Sequence, residues 1–88
     1  MTAADIKKGK KYSCNLCPVG LAIARRTGVM AIVGVAFIQI YNPYTFVFET
    51  FITPDNVQTF LRKFDNGLPV NPIRFELVLD WLDKPYKE

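Results

Sequence analysis

Histidine is absent from this 88-residue sequence, and cysteine occurs only twice. Without histidine the chain has no Ser-His or Cys-His catalytic pair, no imidazole metal ligand and no side chain that ordinarily titrates near neutral pH. The five glycines form no glycine-rich phosphate loop, and the dispersed carboxylates indicate no paired general acid and base. We therefore expect no catalytic residues and no cofactor, and we predict that the protein is not an enzyme.

Long apolar runs are also lacking. The longest uncharged, mostly apolar run covers residues 29–40, which is short of the roughly 20 residues that a membrane-spanning helix needs. The lysines near the N-terminus are followed by a short apolar stretch at residues 19–24, too short for a secretory signal. With two cysteines and no export signal, we expect a cytoplasmic protein with free thiols and no membrane partner.

The composition is that of a globular domain, with 50% hydrophobic and 22% charged residues. We predict a single domain over residues 1–88, in which residues 1–13 form a loosely ordered basic arm. The net charge of +3 is uneven, because residues 1–44 carry +5 and residues 45–88 carry −2. The lysines of the arm attract phosphates, although a solvated arm is the interpretation that we favour for them.

Two helices are indicated. Pro18 is typical of a first helical position, and Gly28 of a left-handed residue that ends a helix, so the first helix should cover residues 18–27. In the second, Thr53 is the expected N-cap and Pro54 lies in the first turn. The second helix has an apolar stripe at helical spacing, formed by Val57, Phe60, Leu61 and Phe64. It should end at residues 66–67.

The strands are predicted from β-branched and aromatic runs. Residues 29–41 should form one buried strand, a turn at residues 42–44 should follow, and residues 45–52 should pair with the first strand as an antiparallel hairpin. Alternating apolar residues at 73, 75 and 77 predict an edge strand. Beyond it, Val78, Leu79 and Leu82 are compatible with strand or helix over residues 78–85. The result is an α+β domain in the order α-β-β-α-β, with the hairpin and the edge strand packed by two short helices.

Aromatic residues are concentrated in this hairpin. Six of them lie within residues 37–51, namely Phe37, Tyr41, Tyr44, Phe46, Phe48 and Phe51. Two short helices cover one face of such a sheet, so the other face should meet a partner, and a second copy of the chain is the partner that we favour. We therefore expect a homo-oligomer, preferably a dimer. Stacking of the aromatic rings on nucleobases is the alternative, which is weakened because the basic residues lie on other segments.

The two cysteines form a C-x-x-C motif directly before the first helix. A helix N-terminus stabilises a thiolate, so Cys14 and Cys17 could act as a redox dithiol. They could also supply half of a zinc site that two subunits share. We favour a third interpretation, in which the motif is structural or adventitious, because no strand is predicted before it.

Three segments together resemble a group of small uncharacterised bacterial and bacteriophage proteins. The segments are residues 17–23 (CPVGLAI), residues 60–67, which end in FDNG, and residues 70–77 (VNPIRFEL). The pattern of the group is CPVAxAL, then FDxG, then VxPFxF. This chain departs from the pattern at Gly20 and Ile73, and Cys14 is not part of it. The resemblance implies a phage or mobile-element accessory factor that binds a host component or a signal molecule, without implying a mechanism.

Three functional hypotheses follow. The first is a non-enzymatic binding protein that sequesters or blocks a host protein or a small anionic molecule, in a groove between subunits. Arg25, Arg26, Tyr41 and Tyr44 would line this groove. The second is a nucleic-acid-binding module that uses Lys7, Lys8, Lys10, Lys11, Arg62 and Lys63. The third is a thiol or zinc protein built on Cys14 and Cys17.

Overall fold

The computed structural model describes residues 1–77, 79 and 81 and the backbone of residues 86–87. The elements are α1 (Ala3–Lys8), α2 (Pro18–Thr27), β1 (Ala31–Val33), β2 (Phe37–Asn42), β3 (Val47–Ile52), α3 (Asp55–Asp65), β4 (Glu76–Leu77) and β5 (Tyr86–Lys87). The α+β class is confirmed, and α2 and α3 lie where the sequence predicts helices. In the described part of the chain, no helix has the length and apolar character needed to cross a membrane.

The N-terminal segment differs from the loosely ordered arm that the sequence predicts, because residues 3–8 form α1. The physical reason is a capping box: the Thr2 hydroxyl accepts a hydrogen bond from the Asp5 amide at 3.3 Å, and the Asp5 carboxylate accepts one from the Thr2 amide at 2.8 Å. α1 packs against α2. Lys7 and Lys8 therefore lie in the last turn of a helix.

The predicted single strand over residues 29–41 is in fact two antiparallel strands, β1 and β2. They pair with Val33 opposite Ile38, and the chain reverses direction at residues 34–36, where the Gly34 amide donates to the Phe37 carbonyl at 2.9 Å. An isolated glycine inside a β-rich run marks such a close approach of backbone. β3 then pairs with β2, so the three-stranded sheet has the order β1-β2-β3.

The turn between β2 and β3 is built around Asn42, which is buried. Its side-chain oxygen accepts hydrogen bonds from the amides of Tyr44 and Thr45, and its amide group donates to Glu49 at 2.8 Å. Phe46 closes the turn with a positive φ of 63°. The turn predicted at residues 42–44 is therefore extended by two residues.

The start of α3 shows a second difference. Thr53 is not the N-cap; Pro54 occupies that position, without a side-chain cap. The Thr53 hydroxyl instead donates to the Gly34 carbonyl at 2.7 Å, which joins the start of α3 to the β1–β2 turn. The predicted apolar stripe of α3 is confirmed, since all four of its residues are buried.

The chain after α3 is extended as predicted, but among residues 66–77 the strand is limited to residues 76–77, which pair with β5 in a separate two-stranded sheet. Phe75, Leu77 and Leu79 are buried in the core. The predictions for Val78 and Leu82 lie outside the described residues. One hydrophobic cluster joins α2, α3, these residues and the inner face of the three-stranded sheet, where Ile38 and Ile40 are fully buried.

Candidate functional site

The outer face of the three-stranded sheet points away from this core. Because side chains alternate along a strand, it carries every second residue of β1, β2 and β3: Ile32, Phe37, Gln39, Tyr41, Phe48, Thr50 and Ile52. None of the seven is charged, and five are apolar or aromatic. The outer face is therefore the surface that the sequence predicts to be left uncovered by the helices.

The strand register arranges the outer face in rows. Tyr41 lies opposite Phe48, and their rings meet edge to face with centroids 5.5 Å apart. At the other end, Phe37 lies opposite Ile52, and these side chains are 56% and 77% exposed. Between the two apolar rows lies a polar row, in which the Gln39 amide donates to the Thr50 hydroxyl at 3.4 Å.

An isoleucine and a phenylalanine exposed side by side on a sheet cost free energy in water. Patches of this kind on small proteins mark places where another molecule binds. Tyr44 and Phe46, in the β2–β3 turn, are exposed as well. We take the outer face as the candidate functional site.

The four residues predicted to line a groove between subunits are divided among several contacts. Arg25 pairs with Asp5 at 2.6 Å, where its guanidinium joins α1 to α2, and Arg26 is exposed in the last turn of α2. Tyr41 belongs to the outer face, whereas the ring of Tyr44 lies 6.3 Å from that of Trp81. A groove that uses all four stays a prediction.

The contact with Arg25 lowers the pKa of the Asp5 carboxylate. Burial by itself would raise the pKa of Asp5, but hydrogen bonds from Arg25 and from the Thr2 amide lower it below its ordinary value of 3.8. The charged form is therefore the one that the fold stabilises. No feature of the sequence predicts this pair, because twenty residues separate its members.

The predicted nucleic-acid residues lie on three segments, and one contact brings two of these together. The Tyr12 amide donates to the Asp65 carboxylate at 2.9 Å. A Cβ atom at Gly67 would lie 3.1 Å from the Lys11 ammonium group, so Lys11 reaches the C-terminal end of α3. Arg62 and Lys63 are in the last turn of that helix.

The two cysteines are free thiols in different surroundings. Cys17 is buried as the N-cap of α2, and its sulfur accepts a hydrogen bond from the Gly20 amide at 3.4 Å. Burial raises the pKa of the Cys17 thiol, whereas a redox nucleophile needs a lowered pKa. Cys14 is exposed. Among the described residues no group of three histidine, cysteine or carboxylate side chains is placed to hold a metal ion.

Comparison with known proteins gives no relative. No protein-family model matches the chain, and neither a curated protein nor a solved structure is significantly similar to it. Function is therefore inferred from the chemistry of the described surfaces alone.

Proposed function

We propose that this chain is a non-enzymatic binding protein that acts as a homodimer, whose two copies meet through their outer faces. The observation that carries the proposal is the exposure of an uncharged, largely apolar face on one side of a sheet whose central strand is buried on the other side. Burying this face against a partner removes apolar surface from water.

The arrangement of rows supports a second copy as the partner. Gln39 is the middle residue of the outer face, since it lies on the central strand between Phe37 and Tyr41. A two-fold axis that lies between the two sheets, parallel to them and directly above the polar row of Gln39, sets the Tyr41–Phe48 row of one copy against the Phe37–Ile52 row of the other. The polar row then meets its own copy. A surface that matches itself in this way is what a two-fold interface requires.

Charge also supports self-association at this face. The chain carries a net charge of +3, so two copies repel each other weakly at most orientations. The outer face has no charged residue, and close contact there brings no like charges together. The polar row can pair by hydrogen bonds between amide and hydroxyl groups.

The size of the face sets the strength of the dimer. Three strands of up to six residues cover about 15 by 20 Å, which is below the roughly 800 Å² per partner of a standard interface. We therefore expect a dissociation constant in the micromolar range, so that the fraction of dimer depends on the protein concentration.

Among the described side chains, Asp5 and Cys17 have clearly shifted pKa values, and the structure accounts for both without catalysis. Strongly shifted groups often mark active sites, but structural ion pairs also produce such shifts. Asp5 is engaged in the capping box and the Arg25 ion pair, and Cys17 caps α2. Each therefore has a structural explanation.

The test replaces Ile52 by lysine, since Ile52→Lys would place two ammonium groups in the proposed interface. Size-exclusion chromatography with light scattering should show a dimer for the unaltered chain and a monomer for Ile52→Lys. Leu68→Lys is the matched control, because Leu68 is 54% exposed and lies after α3, outside the sheet. A dimer that survives Ile52→Lys, or one that Leu68→Lys abolishes equally, contradicts the proposal.

A nucleic-acid-binding module is the second candidate, and the approach of Lys11 to the end of α3 favours it. Random-sequence DNA duplex should then bind at low salt. Lys11→Ala should reduce the number of counterions released on binding by about one, which lowers the slope of the logarithm of the binding constant against the logarithm of the salt concentration. Absence of binding at low salt contradicts this candidate, because the phosphate contribution is largest there.

A further inference from the structure

A groove of about 410 Å³ lies between α3 and the extended segment after it. One wall consists of Asn56, Thr59, Phe60 and Lys63, which share one face of α3 at helical spacing. The other wall is formed within residues 69–73. Neither wall belongs to the outer face, so the groove is a separate surface.

The groove is held open by contacts at both of its ends. The Leu68 amide donates to the Lys63 carbonyl at 2.9 Å, and the Asn56 side chain donates to the Arg74 carbonyl at 2.6 Å. These two hydrogen bonds fix the extended segment to α3. The groove is therefore formed before any ligand enters, as is usual for small-molecule sites.

The apolar part of the groove rests on the core. Phe60 is buried, and its ring stacks on that of Phe64 at 5.9 Å. Val70 and Ile73, on the opposite wall, are partly buried and pack against the same hydrophobic cluster. An aliphatic or aromatic group of a ligand could contact these apolar side chains at the floor of the open groove.

The polar part of the groove consists of hydroxyl and amide groups and one positive charge. Among the described residues that line the groove, Lys63 is the one that is charged, and none is a carboxylate. The Thr59 hydroxyl and the Asn71 amide are the neighbouring donors. A negatively charged group on the ligand matches this set.

We infer that the α3 groove binds a small organic carboxylate with an apolar body. A single negative charge fits better than a phosphate dianion, because Lys63 lies in the last turn of α3, where the helix dipole disfavours additional negative charge. A peptide added as a strand fits poorly, because Pro69 and Pro72 have no N–H group to donate. The inference rests on the proposal of a binding protein but not on the dimer.

The test uses 3-phenylpropanoate as the probe, with 3-phenylpropanamide as its uncharged counterpart. In amide chemical-shift titrations, the carboxylate should shift the resonances of Thr59, Lys63 and Asn71 saturably. Lys63→Met keeps the apolar stem and removes the charge, so it should weaken binding of the carboxylate about tenfold and leave binding of the amide unchanged. Arg62→Met is the matched control and should bind both probes like the unaltered chain.

Two results overturn the inference: no saturable shifts at these residues with the carboxylate, or an affinity that Lys63→Met leaves unchanged. Repeating the titration with Ile52→Lys separates it from the dimer. If this variant is monomeric and still binds the probe, the two surfaces act independently. If the unaltered chain is a monomer that binds the probe, the dimer is wrong and the groove stands.

Discussion

At the scale of single residues, Asp5 joins α1 to α2 through several specific contacts. Its carboxylate is 8% exposed, accepts a hydrogen bond from the Thr2 amide and forms an ion pair with Arg25, which is itself 46% exposed. The pKa of Asp5 is lowered in the folded state. Ionised Asp5 therefore stabilises the fold at pH values above 3.8, the ordinary pKa of this side chain. This contribution is lost as the pH falls through the lowered pKa.

Asp5→Asn should therefore reduce the free energy of unfolding by about 1–2 kcal/mol near neutral pH, because the capping carboxylate and the ion pair are both lost. The variant should also lose less stability than the unaltered chain when the pH falls from about 5 to about 2. Urea unfolding across this range measures both effects. Asp55→Asn, at an exposed carboxylate in the first turn of α3, is the control. Equal pH dependence in the unaltered chain and in Asp5→Asn would contradict this account of Asp5.

At the scale of elements, local signals predicted α2 and α3, but not α1, although its Thr2–Asp5 capping box is itself a local signal. Pro18 and Gly28 bound α2 as expected, and Gly28 has the left-handed φ of 74° that its position requires. The prediction of Thr53 as the N-cap of α3 is wrong because its hydroxyl donates a hydrogen bond to the Gly34 carbonyl, which is distant in sequence. The break between β1 and β2 was missed because the uncharged run continues through Gly34. Local propensity cannot reveal such tertiary partners.

Gly20 gives an element-scale prediction whose sign opposes helix propensity. Replacing a glycine inside a helix by alanine ordinarily stabilises it by about 0.5–1 kcal/mol. At Gly20 a Cβ atom would lie 2.6 Å from the Asn15 carbonyl oxygen, and this backbone atom cannot move without displacing the loop before α2. We expect Gly20→Ala to destabilise the chain by about 1–3 kcal/mol. Thermal unfolding measures the change. An increase in stability would contradict the close contact between position 20 and the Asn15 carbonyl oxygen.

At the scale of the whole molecule, the composition predicted an aromatic face without a cover but not which residues form it. The side-chain alternation is reset at the turn over residues 34–36, so that Val33 and Ile38 share the inner face. A continuous strand would place them on opposite faces. The outer face, the groove beside α3 and the Asp5–Arg25 pair all depend on contacts between distant segments, which a pattern along the chain does not contain.

The position of Gln39 on the proposed two-fold axis can be tested by charge. Gln39→Glu and Gln39→Lys each place like charges against each other, so each variant alone should be monomeric. An equimolar mixture of the two should form a heterodimer, because the opposite charges then face each other. Native mass spectrometry distinguishes the species. Variants that dimerise alone as well as the unaltered chain, or a mixture that remains monomeric, would contradict an axis at Gln39.

The central claim is that two copies meet through an uncharged sheet face, and sedimentation equilibrium of the unaltered chain tests it most directly. The chain mass is 10.0 kDa. Between about 1 and 500 µM, a range that spans a micromolar dissociation constant, the weight-average mass should rise from the chain mass towards twice that value. A mass of 10.0 kDa at every concentration would contradict the account.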